Sequence, residues 1–84
     1  DNYWAGAKKA CDDIGMSLPD RSKLYYRLYK AGKKDSSLGL PTSGYFWSSS
    51  EGDAAGAYTV GFHNDNEGYN RKYDSDLKVL CVGD

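Results

Sequence analysis

Two cysteines, Cys11 and Cys81, stand near opposite ends of this 84-residue chain. A bridge between them would close a loop of about 70 residues, worth roughly 4 kcal/mol in the chain-entropy model when the geometry is unstrained. That is a large share of the about 5–15 kcal/mol expected for a whole domain. It would also tie the two ends of a module together. The alternative is two buried free thiols in a cytosolic domain, since cysteine is among the most buried residue types. The small size of the chain and the lack of a CxxC or Cys/His metal spacing weigh toward the bridge.

The composition makes a staple useful. Hydrophobic residues are 39% of the chain, with eight Tyr but only two Phe and one Met. That is below the usual globular share, so the core is expected to be thin. The length suits one domain over residues 1–84. Net charge is −1 with acids and bases interspersed and no basic run. The balance therefore points to neither nucleic acid nor an anionic membrane. No apolar stretch approaches a membrane span. The chain starts at Asp1 without Met and shows no signal sequence, which reads as a module or fragment of a larger exported protein with its signal elsewhere.

Helical periodicity comes first along the chain. Trp4, Ala7, Cys11 and Ile14 recur as one face of an amphipathic helix over Tyr3 to Ile14. Asn2 or Asp1 can cap its start, and Gly15 suits the left-handed position after its end. A second helix is expected to start at a cap on Asp20 or Ser22 and to use Leu24, Tyr25, Leu28 and Tyr29 as its apolar face. Lys30 favours its C-terminal dipole and Gly32 is expected to end it. A polar loop follows, then Leu38 to Pro41 as an irregular cover over the core.

From Tyr45 the residues suit short strands: Tyr45 to Ser49, Ala57 to His63, Tyr69 to Tyr73 and Leu77 to Val82. Tyr58, Val60 and Phe62 alternate with Thr59, Gly61 and His63, giving one apolar face. Asn64 to Gly68 reads as the turn of a hairpin. Val79 and Cys81 alternate with Leu80 and Val82, as in a central strand covered on both sides. The fold class expected is α+β, two helices followed by a small twisted antiparallel sheet.

The segments "YWAGAKKACDDIGMSLPDRSKL", "PTSGYFWSSSE" and "LKVLCV" follow one another in this order. Together with the two cysteines they resemble C-type-lectin-like domains of the bacterial branch. That branch includes the tips of intimin- and invasin-type adhesins and the C-terminal domain of a collagen-like bacterial surface protein. The resemblance spans Tyr3 to Val82 and implies a disulfide from the first helix, at Cys11, to the last strand, at Cys81. It also implies a buried Trp at position 47. The chain is shorter than a full domain of that kind, so an N-terminal strand is missing or reduced. Calcium-dependent sugar-binding lectins carry a Glu-Pro-Asn or Gln-Pro-Asp loop and a Trp-Asn-Asp strand, and neither is present here. Their calcium site is therefore not carried over.

The candidate chemistry is sparse. His63 to Gly68 is rich in oxygen donors, but His63 falls in the first ligand slot of an EF-hand-like loop and no Glu closes it. A solvated turn is the expectation, with no metal and no cofactor. Ser48, Ser49 and Ser50 lie before Glu51, and His63 is the single histidine. No nucleophile elbow accompanies them, so no catalytic residue is assigned and the domain is expected not to be an enzyme.

The aromatics divide by context. Trp4 and Trp47 are expected in the core, and at least two of Tyr25, Tyr26 and Tyr29 are expected to pack. Tyr69 and Tyr73 flank Asn70, Arg71 and Lys72 on a polar strand, in a composition that recognition loops favour; a solvated edge hairpin is the plain alternative. The candidate binding residues are Glu51, Asp53, Asp65, Asn66, Glu67, Tyr69, Arg71 and Tyr73, on loops expected to lie away from the first helix. The resemblance implies a non-enzymatic recognition or adhesion module, extracellular or on a bacterial surface. It would bind a host or partner protein or a glycan, with no nucleic acid and no membrane insertion. The other expectation is a structural module of a larger exported protein, without a ligand of its own.

Overall fold

Asn2 sets the start of the first helix, α1 (Tyr3–Asp13), by accepting the Ala5 N–H on its side-chain oxygen at 2.9 Å. The computed structural model describes residues 2–35, 37, 39, 43–62 and 66–83. α1 ends in a Schellman motif. Gly15 takes φ +73°, its N–H donates to the Asp12 carbonyl, and the Met16 N–H donates to the Cys11 carbonyl. Trp4, Ala7 and Cys11 are buried as the spacing predicts. Ile14 is not: it falls on the residue after the helix, where the chain turns, and is 65% exposed.

The second helix runs continuously over residues 21–34. Asp20 accepts the Lys23 N–H at 2.8 Å, and the Ser50 hydroxyl accepts the Arg21 N–H at 2.9 Å. Asp20 is thus the cap, while Ser22 is already helical. The segment Lys23–Tyr29 is wound as a π-helix and passes directly into α2 (Lys30–Lys34). Winding with bonds five residues apart stacks residues that are five apart. Leu24 and Tyr29, in that relation, are the two buried on this stretch, while Tyr25 and Leu28 pack beside them. Gly32 does not end the helix, which continues through it to Lys34.

Three antiparallel strands form the sheet: β1 (Tyr45–Glu51), β2 (Gly56–Gly61) and β3 (Asn66–Arg71), in that spatial order. Phe46 pairs with Val60 and Tyr58 with Tyr69. β3 begins at Asn66, earlier than expected. Asn66, Glu67 and Gly68 are weak strand formers, but pairing with β2 overrides that preference. The expected last strand is corrected as well. Leu77 to Val82 makes only two isolated bridges, Lys78 beside Phe46 and Val82 against Ser17. Its backbone bonds divide between β1 and the segment after α1, so no ladder forms. The central strand is β2, not the last segment.

The sheet is a middle layer between two cores. Neighbouring strand residues point to opposite faces, so Trp47 enters one core and Phe46 the other. The first core joins Trp4, Ala7, Cys11, Leu18, Trp47 and Ala57, with Leu77 and Cys81 packed against it. The second joins Leu24, Tyr29, Phe46, Val60 and Phe62, with Tyr25, Leu28 and Leu80. β2 is therefore covered on both faces, beyond the single apolar face expected. Cys11 and Cys81 are bonded, with Cα atoms 5.4 Å apart, and the bridge lies in the first core. The fold class is shown at the level of two helical segments, a three-stranded antiparallel sheet and this disulfide. Leu38, Leu40, Pro41 and His63 lie outside the described residues.

Candidate functional site

The turn between β1 and β2 is organised by Asp53. Its Oδ1 accepts the N–H groups of Ala55 and Gly56 at 2.9 and 2.8 Å, and the Tyr69 hydroxyl as well. An Asp closing a turn on its own following N–H groups is a recurrent local device. The Tyr69 hydroxyl, with the two backbone donors behind it, holds the Asp53 carboxyl below its usual 3.8. The same bond raises the Tyr69 phenol above its usual 10.0.

The Tyr69 ring lies across Gly52 and Gly56, which leave no room there for a Cβ. It also meets the Tyr58 ring edge-on at 5.6 Å. Arg21 stacks its guanidinium 4.2 Å from the Tyr58 ring centre and reaches Glu67 at 3.8 Å. Register puts Glu67, Tyr69 and Arg71 opposite Val60, Tyr58 and Gly56, hence on one face of β3. Tyr73 follows on a turn closed by the Asp74 N–H to the Arg71 carbonyl, 2.9 Å. Arg71 lies 5.9 Å from its ring centre. Tyr69 is 48% and Tyr73 63% exposed. The arrangement is an edge of aromatic rings, Tyr69 held in place among them, interleaved with both signs of charge.

Glu51 does not join that edge. It pairs with the buried Lys72, whose ammonium lies 4.4 Å from the centre of the Trp4 ring. Lys8 stands at the same distance from that ring. The Trp4 indole N–H donates to the Ser48 carbonyl at 2.8 Å. The Lys72 carbonyl accepts the Tyr3 N–H at 2.7 Å, at the start of α1. The end of the hairpin therefore abuts the first helix, contrary to the expectation that these loops lie away from it. Lys72 is a packing residue because its long stem covers Trp4 while its head meets Glu51.

Residues 1–83 match the model of a family described as a domain of unknown function, DUF8780. The chain belongs to that family. No curated protein and no solved structure matches it.

Among the expected binding residues of this DUF8780 domain, Asp53, Glu67, Tyr69, Arg71 and Tyr73 come together, and Glu51 turns to the α1 side. Asn66 is the first residue of β3, and Asp65 lies outside the described residues. Arg21 and Tyr58, which complete the edge, were missed. The Asp53-Ala-Ala-Gly56 spacing does carry a turn signal, but no local pattern brings Arg21 to Tyr58. Ser48 is fully buried, with its hydroxyl donating to the Tyr58 carbonyl at 2.7 Å. It serves the β1–β2 pairing. Among the described residues no three metal-ligating side chains converge, and no helix is long and apolar enough to cross a membrane.

Proposed function

We propose that this domain is a non-enzymatic recognition module with a C-type-lectin-like fold. It binds a surface protein or glycan of a host or partner through the outer edge of β3, without a calcium-dependent sugar site. Its place is extracellular or on a bacterial surface, at the end of a longer adhesin-like chain. The order of elements and the bridge from first helix to closing segment support the fold assignment, and the disulfide suits an oxidising compartment.

One observation carries the functional reading. Tyr69 is half exposed, yet its hydroxyl is bound by Asp53 and its ring is held by Gly52, Gly56 and Tyr58. An exposed aromatic already fixed in position loses little freedom on binding, which is what favours such rings at recognition surfaces. Tyr73 and Arg71 extend the same surface, and Tyr and Arg are the residue types that anchor interfaces.

The test is a binding screen of the folded, oxidised domain against glycans and host-cell surfaces. Arg71→Ala/Tyr73→Ala serves as the matched negative. Binding that this double variant weakens by about tenfold or more supports the reading. A folded domain with no binding, or with binding indifferent to both changes, leaves it a structural module.

A further inference from the structure

The second helix carries a charge bias of which the β3 edge uses only Arg21. Between Arg21 and Lys34 the sequence has six cations, Arg21, Lys23, Arg27, Lys30, Lys33 and Lys34, and no acid. The other five cations share the rest of the chain with all twelve acids. The interspersed charge expected from the sequence is thus a property of the whole chain and not of this helix.

The structure gathers part of this charge on one exposed face. Lys23, Tyr26 and Arg27, with Asp20 and Ser22, line an open groove of about 430 Å³. The Lys30 ammonium lies 5.4 Å from the Tyr26 ring centre and 5.2 Å from that of Tyr25, which extends the patch along the helix. Lys34, four residues further, continues it by helical spacing. Tyr26 is 61% exposed, while Leu24 and Tyr29 turn into the second core. Arg21 is engaged with Glu67, but among the described residues Lys23, Arg27, Lys30 and Lys34 have no carboxylate partner. The groove is built on the π-helical stretch, a winding that recurs at functional sites.

We propose that this face binds an acidic polysaccharide. Cations three or four residues apart repeat at about 5 Å along a helix axis. A nucleic-acid duplex presents a charge every ~3.4 Å of axis on each strand, or every ~1.7 Å with both strands counted, a denser array. A polysaccharide with one carboxylate or sulfate per sugar unit spaces its anions by whole rings, and Tyr26 offers a flat surface to a ring between them. Asp20 and Asp35 bracket the cationic stretch, which disfavours a long, stiff, uniformly charged partner. Among its described residues the face also lacks the exposed apolar stripe with which helices lie in a membrane surface. This site is separate from the β3 edge, so either can fail without the other.

The test is titration of the whole oxidised domain with heparin, with polygalacturonate and with neutral dextran. Two double variants of equal charge change are compared: Arg27→Gln/Lys30→Gln on the helix and Lys8→Gln/Lys9→Gln on α1. The expected result is binding to one or both acidic chains and none to dextran, and the tighter arm identifies sulfate or carboxylate as the anion. The helix variant should weaken binding by about tenfold and flatten its salt dependence by about one unit or more, with its melting curve unchanged. The α1 variant should bind nearly as the parent does. Equal loss in both variants means a response to net charge alone and overturns the proposal. So does the absence of binding, or tighter binding to a duplex oligonucleotide than to either acidic chain.

Discussion

The two sides of the sheet are built on different principles. On the α1 side two tryptophans, a disulfide and a buried lysine are locked together, and the helix is closed by a polar cap at one end and a Schellman motif at the other. On the other side the core is mainly aromatic, the helix above it is π-wound, and no covalent bond holds it to the sheet. Tyr25, Tyr29, Phe46 and Phe62 contact one another in series there, at 4.6 to 5.7 Å between ring centres. The first side fixes the frame. The second side and the adjoining edge of β3 present Tyr26, Tyr69 and Tyr73, the most exposed tyrosines of the described residues, with Lys23, Arg27 and Lys30, which have no carboxylate partner among those residues. A thin core stiffened at one face leaves the other face free to carry polar, aromatic surface.

The sharpest way to break this contrast is to remove the frame. Trp47→Ala should cost about 3–5 kcal/mol, because Trp47 is 1% exposed in the first core and its removal leaves a cavity there. Calorimetry or denaturant melts give the value, and a loss under 1 kcal/mol would mean that the α1 core is not the frame. Replacing both Cys11 and Cys81 with Ala should cost about 4 kcal/mol by the loop-entropy argument. In hydrogen exchange, the bridge-free variant should lose protection in Tyr3–Asp13 more than in Lys23–Tyr29. Equal loss on both sides would mean that the bridge supports the fold as a whole and not the α1 side.

A smaller effect separates packing from charge. Lys72→Met keeps the stem over Trp4 and removes the ammonium with its contacts to Trp4 and to the half-exposed Glu51, so it should cost only about 1–2 kcal/mol, the scale of a desolvated cation–π contact with a weak surface ion pair. Lys72→Ala should cost more, since it also uncovers the ring. If the two variants melt together, the stem contributes nothing.

The smallest effect lies at the Asp53–Tyr69 contact, where pH gives the readout. Asp53 is held below 3.8, so its contribution is complete above that pH and is lost as pH falls through the lowered value. Tyr69 is held above 10.0, so its contribution is complete below that pH and is lost as pH rises through the raised value. Tyr69→Phe should remove the alkaline loss tied to this bond and leave mid-range stability only slightly lower. An unchanged alkaline limb would show that the bond does not hold the turn.

What the sequence could and could not tell follows the same division. The α1 side was readable because its signals are local or covalent: Asn2 and Gly15 mark the helix ends, Trp4, Ala7 and Cys11 mark its face, and the two cysteines pair. Trp47 was also expected inside. The other side depends on long-range pairing. β3 starts at Asn66 because β2 lies beside it, not because Asn-Glu-Gly favours a strand. Gly32 does not stop the helix, which runs on to Lys34. On the α1 side itself Ile14 falls outside the buried face, and Leu77 to Val82, whose Leu77 and Cys81 pack there, has strand-like residues but divides its backbone bonds between two partners. At the candidate site, Tyr69, Arg71 and Tyr73 were legible as polar-aromatic surface. Arg21 and Tyr58 were not, because their contact spans a helix start and a strand with no shared pattern. The cationic helix was visible as composition and was lost in the even overall charge.

The central claim is that the frame folds the domain while the β3 edge recognises a partner. The most direct measurement is a paired scan of melting and of glycan or host-cell attachment, across Trp47→Ala, Arg71→Ala and Tyr73→Ala. The account predicts that Trp47→Ala lowers the melting temperature most of the three, and weakens attachment only as far as it unfolds the domain. Arg71→Ala and Tyr73→Ala should weaken attachment by about fivefold or more each and leave the melting curve nearly unchanged. Loss of folding in the two edge variants comparable to that in Trp47→Ala, or full attachment by both, would contradict it.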